Sequence, residues 1–329
     1  MAADGAKAAD KQAERNEVVE TWPGGEPRLV VTWEGDKRIL ETELFRDGSR
    51  QRILRHTGDP KVLHAFSYAE GGHLRSAITL VAGRKSGTEA LYNLAGRVEA
   101  RVPWVDGKKH GLEEHVDDDG RVRRTVKWRE GLRNGPETTY YVSGKRHVVI
   151  EWVDGRARDQ AVAYHENGQR ESVFELVHGR KHGVEIQFDP EGRKVAQIPW
   201  TNGKMHGLVV RFYPGGKKLA EVRYDQGVAN GKEKHWHENG IQRFEVEVRY
   251  NKREGTATVW NDHGVKIAEL PYIAGIQTGT ERRFYDTGEL KAEILRADGA
   301  IYGVATTYYK SGAKESVYPY EDGEINGVE

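Results

Sequence analysis

Glycine recurs along this chain on a 24-residue lattice without a single insertion or deletion, and that regularity constrains the fold more than any other feature of the sequence. One slot runs Gly35, Asp59, Gly83, Gly107, Gly131, Gly155, Gly179, Gly203, Gly227, Asn251, Gly275, Gly299 and Gly323. A second lies four residues later and includes Gly87, Gly111, Gly135, Gly183, Gly207, Gly231, Gly255, Gly279 and Gly303. The third, thirteen residues after the first, is glycine in every copy from Gly24 to Gly312, and the three slots hold 34 of the 39 glycines. Self-similarity at fixed period marks a repeat architecture, so the two-domain expectation for 329 residues does not apply.

Asp59 and Asn251, the defects within the first slot, are residue types that tolerate the left-handed backbone glycine supplies. The lattice therefore encodes turns, and the six to eight residues between turns read as strands. In the copy from Gly131, Pro136–Tyr141 and Arg146–Trp152 are the expected strands, with a tight turn at Val142, Ser143 and Gly144. Asn167-Gly168 and Asn239-Gly240 carry the signature of hairpin turns in which both central residues have positive φ. Each repeat is predicted to be a β-hairpin. The expected fold class is all-β, with tandem hairpins joined into one elongated, twisted antiparallel sheet. Pro103, Pro199, Pro271 and Pro319 share a slot where the second strand must leave the sheet or turn its backbone away from a neighbour, because proline cannot donate to a ladder.

Aromatic residues keep the same period. Four residues before the third glycine stand Tyr68, Tyr92, Tyr140, Tyr164, Phe188, Phe212, Trp236, Trp260, Phe284 and Tyr308, and the second strand ends on Trp104, Trp128, Trp152, Trp200, Tyr224, Tyr272 and Tyr320. Alternation predicts one aromatic face and one charged face, the latter carrying Lys127, Glu151, Arg223 and Glu247. The expected interaction face is Tyr140, Trp152, Tyr164, Phe188, Trp200, Phe212, Trp236 and Trp260. Lys108, Lys109, Arg133, Arg156, Arg180, Lys181 and Lys204 crowd one hairpin edge and are expected to form a basic rim.

The unit D-G-K-x-H-G-x-x-x-x-Y-x-x-N-G-x-x-x-x-x-x-x-W resembles the MORN-variant repeat of bacterial YwqK-family antitoxin proteins. Its best copies are Asp106 to Trp128, Glu130 to Trp152, Asn202 to Tyr224 and Gln226 to Val248. The resemblance implies stacked hairpins used for contacts with other proteins or, in some members, with membranes, and it carries no catalytic residue. Residues 72–329 read as MORN-variant repeats. Residues 17–71 are degenerate copies, with glycine replaced at Ile39 and Leu63, expected to cap the first sheet edge. Residues 1–16, rich in alanine and charge, read as a flexible or short helical tail.

Fifty-one Lys plus Arg balance 51 Asp plus Glu, so no overall field draws the chain to nucleic acid. No disulfide or thiolate metal site can be built without cysteine, and no cofactor motif is present. Hydrophobic content of 37% against 31% charged is too polar for two compact cores. No apolar run reaches the roughly 20 residues of a membrane helix, so the chain is expected to be soluble, in the cytoplasm or, after removal of a leader, outside it. The expected function is a non-enzymatic scaffold for protein–protein interaction, extending to antitoxin-type binding of a toxin. The alternative is a peripheral membrane or envelope element binding anionic lipid through the basic rim. Self-association through the aromatic face is a third expectation.

Overall fold

The computed structural model describes residues 13–321 and 324–325, apart from the side chains of Asp159 and Glu321. Among the described residues there are 31 strands and no helix. The predicted tail lies outside the described residues up to residue 12, and Glu14–Asn16 belong to the first strand, Glu14–Thr21. Compactness divides the chain between Arg158 and Asp159 into two units. In each unit the strands follow one another as antiparallel hairpins, for example Val122–Arg129, Leu132–Tyr140 and Arg146–Val153 in the first, and Arg170–Val177, Arg180–Phe188 and Lys194–Thr201 in the second. The degenerate copies pair in the same way as the others. Glu14–Thr21, which pairs with Pro27–Glu34, is exposed along its whole length.

The glycine slots differ in what they do. At the first slot two left-handed residues make a two-residue loop, as at Glu130 (φ 51°) and Gly131 (φ 84°) between Arg129 and Leu132. Such a type I′ turn matches the right-handed twist of its strands. The turn glycine then donates its N–H to the preceding repeat, Gly131 to Lys109 O at 2.9 Å and Gly203 to Lys181 O at 2.8 Å. One inserted residue would break this bond, which accounts for a lattice without indels. Asn251 keeps the left-handed conformation (φ 64°) and the bond, to Ala229 O at 3.0 Å. Asp59 does not: it uses its carboxylate instead, accepting the Lys61 N–H at 2.8 Å.

The third slot holds a different turn from the one the Asn-Gly pairs predict. Gly168 has φ 89° but Asn167 is not left-handed; the loop is closed by His165 N–H to Gln169 O and Gly168 N–H to His165 O. Asn167 Oδ1 accepts the Gln169 N–H at 2.9 Å. A single left-handed glycine after an ordinary turn leaves a bulge, and the register shifts between Ala163 and Tyr164 accordingly. The second slot lies inside a strand, so the first strand of each hairpin is longer than expected, Leu132–Tyr140 instead of Pro136–Tyr141. Where proline precedes it the strand splits: Lys108–Lys109 is separated from Gly111–Val116, and a Cβ on Gly207 would lie 2.9 Å from Pro199 Cγ. Arg223 in the proline slot gives the same split, between Val228–Ala229 and Gly231–Trp236, so the interruption belongs to the slot and not to proline alone.

Candidate functional site

Register decides which side chains share a face. Gly135 lies opposite Trp152, Glu137 opposite Ile150 and Thr139 opposite Val148. Trp152 therefore shares a face with Arg133 and Glu137, whereas Tyr140, five residues from Gly135, points to the other. The expected single aromatic face is thus two faces. Trp152 and Trp200 lie on the first; Tyr140, Tyr164, Phe188, Phe212, Trp236 and Trp260 lie on the second. The physical cause is the bulged third-slot turn, whose odd residue count sets the two aromatic rows an odd number of positions apart. All eight rings are half-buried.

The first face carries an ionic cage that repeats through the chain. Four residues after the lysine or arginine that follows the first turn comes a glutamate, placing both on one face of the strand. Lys85 with Glu89, Lys109 with Glu113 and Lys181 with Glu185 each meet at 2.7 Å. These carboxylates are almost wholly buried: Glu89 is 5%, Glu113 6% and Glu185 2% exposed. The indole N–H of Trp104 donates to Glu89 at 2.9 Å and that of Trp200 to Glu185 at 2.8 Å. The same cations lie over the rings, Lys109 4.6 Å from Trp128, Arg133 4.6 Å from Trp152 and Lys181 5.0 Å from Trp200. Buried charge is tolerated only when paired and hydrogen-bonded, and each cage meets that requirement with a cation and, in two copies, an indole. Burial pushes the Glu113 carboxyl up, but hydrogen bonds from Lys109 and His115 outweigh it and hold the group below its ordinary range. Glu281 behaves likewise, burial opposed by Arg296 and Arg283.

This geometry corrects the basic rim. Lys109, Arg133 and Lys181 belong to the cage, and only Lys108, Arg156, Arg180 and Lys204 are exposed at the hairpin edge. Even there charge is partly offset, since Lys108 lies 3.6 Å from Glu130. The i, i+4 spacing of Lys or Arg and Glu within a strand is the sequence signal that would have separated the two groups.

The second face is more open. In the C-terminal unit Lys194 lies 4.3 Å from the Phe212 ring and Lys218 5.2 Å from Trp236, while Val184 and Leu208 beside that row remain 42% and 41% exposed. At the loops, side chains tie consecutive repeats: His165 Nε2 meets Phe188 O at 2.9 Å, and the Tyr213 hydroxyl donates to Trp236 O at 2.8 Å.

His235 sits on the first face with its Nε2 2.8 Å from Glu233. The His235 hydrogen bond, helped by Arg253 against burial, lowers the Glu233 carboxyl to about 2. A cavity of about 370 Å³ opens beside this cluster, lined by Val209, Tyr224 and Arg211 among others. No motif or spacing signals this cavity, because it exists where residues are smaller than their counterparts.

The MORN repeat variant family matches residues 205–226 and 277–297. These segments span both strands of one hairpin, Gly207–Phe212 and Lys218–Asp225, and their counterparts three repeats on, Gly279–Phe284 and Leu290–Ala297. No curated protein matches the chain by sequence. Among solved structures, similarity is found to the crystal structure of TarM (TM-score 0.24, 9% identity, 30% of this chain and 19% of that one). It is found too to TcdB2-TccC3-Cdc42 (0.18, 12%, 91% and 17%) and to TcdB2-TccC3 without its hypervariable C-terminal region (0.20, 16%, 89% and 16%). This chain spans less than a fifth of the length of each.

Proposed function

We propose that this MORN-variant repeat chain is a non-enzymatic scaffold that binds a protein partner across the second face of its C-terminal unit. The observation that carries the reading is the division of labour between faces. On the first, cations pair with buried carboxylates and cover the rings; on the second, Phe188, Phe212, Trp236 and Trp260 form a row flanked by exposed Val184 and Leu208. Aromatic rings beside exposed aliphatic groups on a hydrogen-bonded sheet offer a large contact area with little conformational entropy left to lose. Antitoxin-type capture of a toxin is a finer version of this reading and rests on the family resemblance alone.

A photo-crosslinking residue placed at Leu208 in the native host is expected to give one discrete protein adduct, abolished by Val184→Glu, while the same residue at Met205 on the first face gives none. Equal labelling from both positions, or no protein adduct from Leu208, overturns the proposal. The lipid alternative keeps Lys108, Arg156, Arg180 and Lys204 as its contact set. Low-salt sedimentation with anionic vesicles, lost on charge reversal of those four, is the result that would favour it.

A further inference from the structure

The cavity of about 370 Å³ on the first face of the C-terminal unit has a definable origin. Nineteen residues before four first-face rings stands the cation that covers each, Lys109 for Trp128, Arg133 for Trp152, Lys181 for Trp200 and Arg253 for Tyr272. For Tyr224 that position is Met205, and the neighbouring carboxylate position is Val209. Opposite Tyr224, where Arg133 stands opposite Trp128, is Ala229. This repeat therefore lacks both members of the cage and also the cation opposite its ring, and the vacated volume is floored by apolar groups, with Ala229 7% and Val248 5% exposed. Its size falls in the range of about 300–1,000 Å³ usual for small-molecule sites.

The charges at the mouth are asymmetric. Glu233 is already engaged by His235 at 2.8 Å and Arg253 at 3.0 Å. Arg211 is exposed, lines the cavity and has no acidic partner among the described residues. The site thus offers an uncovered ring, an aliphatic floor and one uncompensated guanidinium, whose planar fork suits a carboxylate.

We propose that this cavity binds a small carboxylate with a flat or branched apolar body, the carboxylate on Arg211 and the body between Tyr224 and the floor of Val209 and Val248. A free organic acid and the C-terminal residue of a peptide share this chemistry. The site lies on the face opposite the proposed partner surface, so it stands or falls separately from that reading.

Calorimetric titration of the full chain with 3-phenylpropionate, 3-phenylpropionamide, and N-acetyl-Gly-Gly-Phe with a free or amidated end tests the proposal. Saturable binding of the free acids is expected, weakened about tenfold or more in either amide and in Arg211→Gln, an exposed position. Ala229→Lys, which restores a long cation like those carried by sister repeats, is expected to abolish binding while the thermal melt is retained. Tighter binding of the peptide acid assigns the site to a chain terminus, and equal or tighter binding of 3-phenylpropionate to a free acid. Absence of saturable binding, equal affinity for acid and amide, or binding untouched by Arg211→Gln overturns the proposal.

Discussion

The two units fill the same first-face position in different ways. In the N-terminal unit the buried slot is glutamate in three consecutive repeats, Glu89, Glu113 and Glu137, beneath Trp104, Trp128 and Trp152. In the C-terminal unit it alternates, Ala161, Glu185, Val209, Glu233, Ala257, Glu281 and Ala305, so the caged repeat recurs every 48 residues. Ala257 at 0% and Ala161 at 1% exposure are as well buried as Glu185 at 2%. An apolar methyl and a fully partnered carboxylate are therefore interchangeable solutions to one packing problem. Replacing a buried ion pair by apolar groups of matching volume is often neutral, whereas removing one partner is costly. The alternation also leaves room: the cavity opens beside Val209 and Ala229, at positions where Lys or Arg and Glu stand in the caged repeats.

That comparison can be broken most sharply at Lys181 and Glu185. Glu185→Val alone strands a lysine and an indole N–H and should cost about 2–4 kcal/mol in urea unfolding. Adding Lys181→Met copies the pair Met205 and Val209 found one repeat later, and should recover more than half of that loss. If the double variant is as unstable as the single, the two solutions are not equivalent.

A smaller effect separates the aromatic rows. Trp152→Ala removes a ring covered by Arg133 and should destabilise by about 2–3 kcal/mol, while Trp260→Ala on the more open face should cost about 1 kcal/mol less. Equal losses by chemical denaturation would place both rings in equivalent surroundings.

Acid titration addresses the cages themselves. Glu233 is lowered to about 2 from the ordinary 4.5, so its contribution is present above pH 4.5 and is lost as pH falls toward 2. Unfolding free energy should therefore be flat above about pH 5.5 and fall below 4.5, with Glu233→Gln removing on the order of 2 kcal/mol of that slope. Glu113 and Glu281, both lowered, add to the decline in the same direction. An identical pH profile in Glu233→Gln would refute the assignment. The smallest effect is at the turns: Gly131→Ala, at φ 84°, should cost about 1 kcal/mol.

Much of this architecture was legible in the glycines. Left-handed positions are chemically distinctive, so turn locations, hairpins and the disruptive prolines could be read directly. Facing could not, because it depends on whether each turn consumes an even or odd number of residues, and Asn167-Gly168 looks the same in sequence whether it forms a two-residue loop or a bulged one. That one residue moved Trp152 and Trp200 away from Phe188 and Trp236. The cavity was invisible for another reason: Val209 and Ala229 are ordinary strand residues whose meaning lies in the larger side chains they replace.

Lys108 and Lys109 carry the central claim, since they are adjacent, chemically identical and assigned opposite roles. Double-mutant cycles on Lys109–Glu113 and Lys108–Glu130, read by urea unfolding, compare the two directly. A coupling of about 1.5–3 kcal/mol for the first pair and under about 0.5 kcal/mol for the second is predicted. Couplings of equal size would contradict the separation of a caged first face from an exposed hairpin edge.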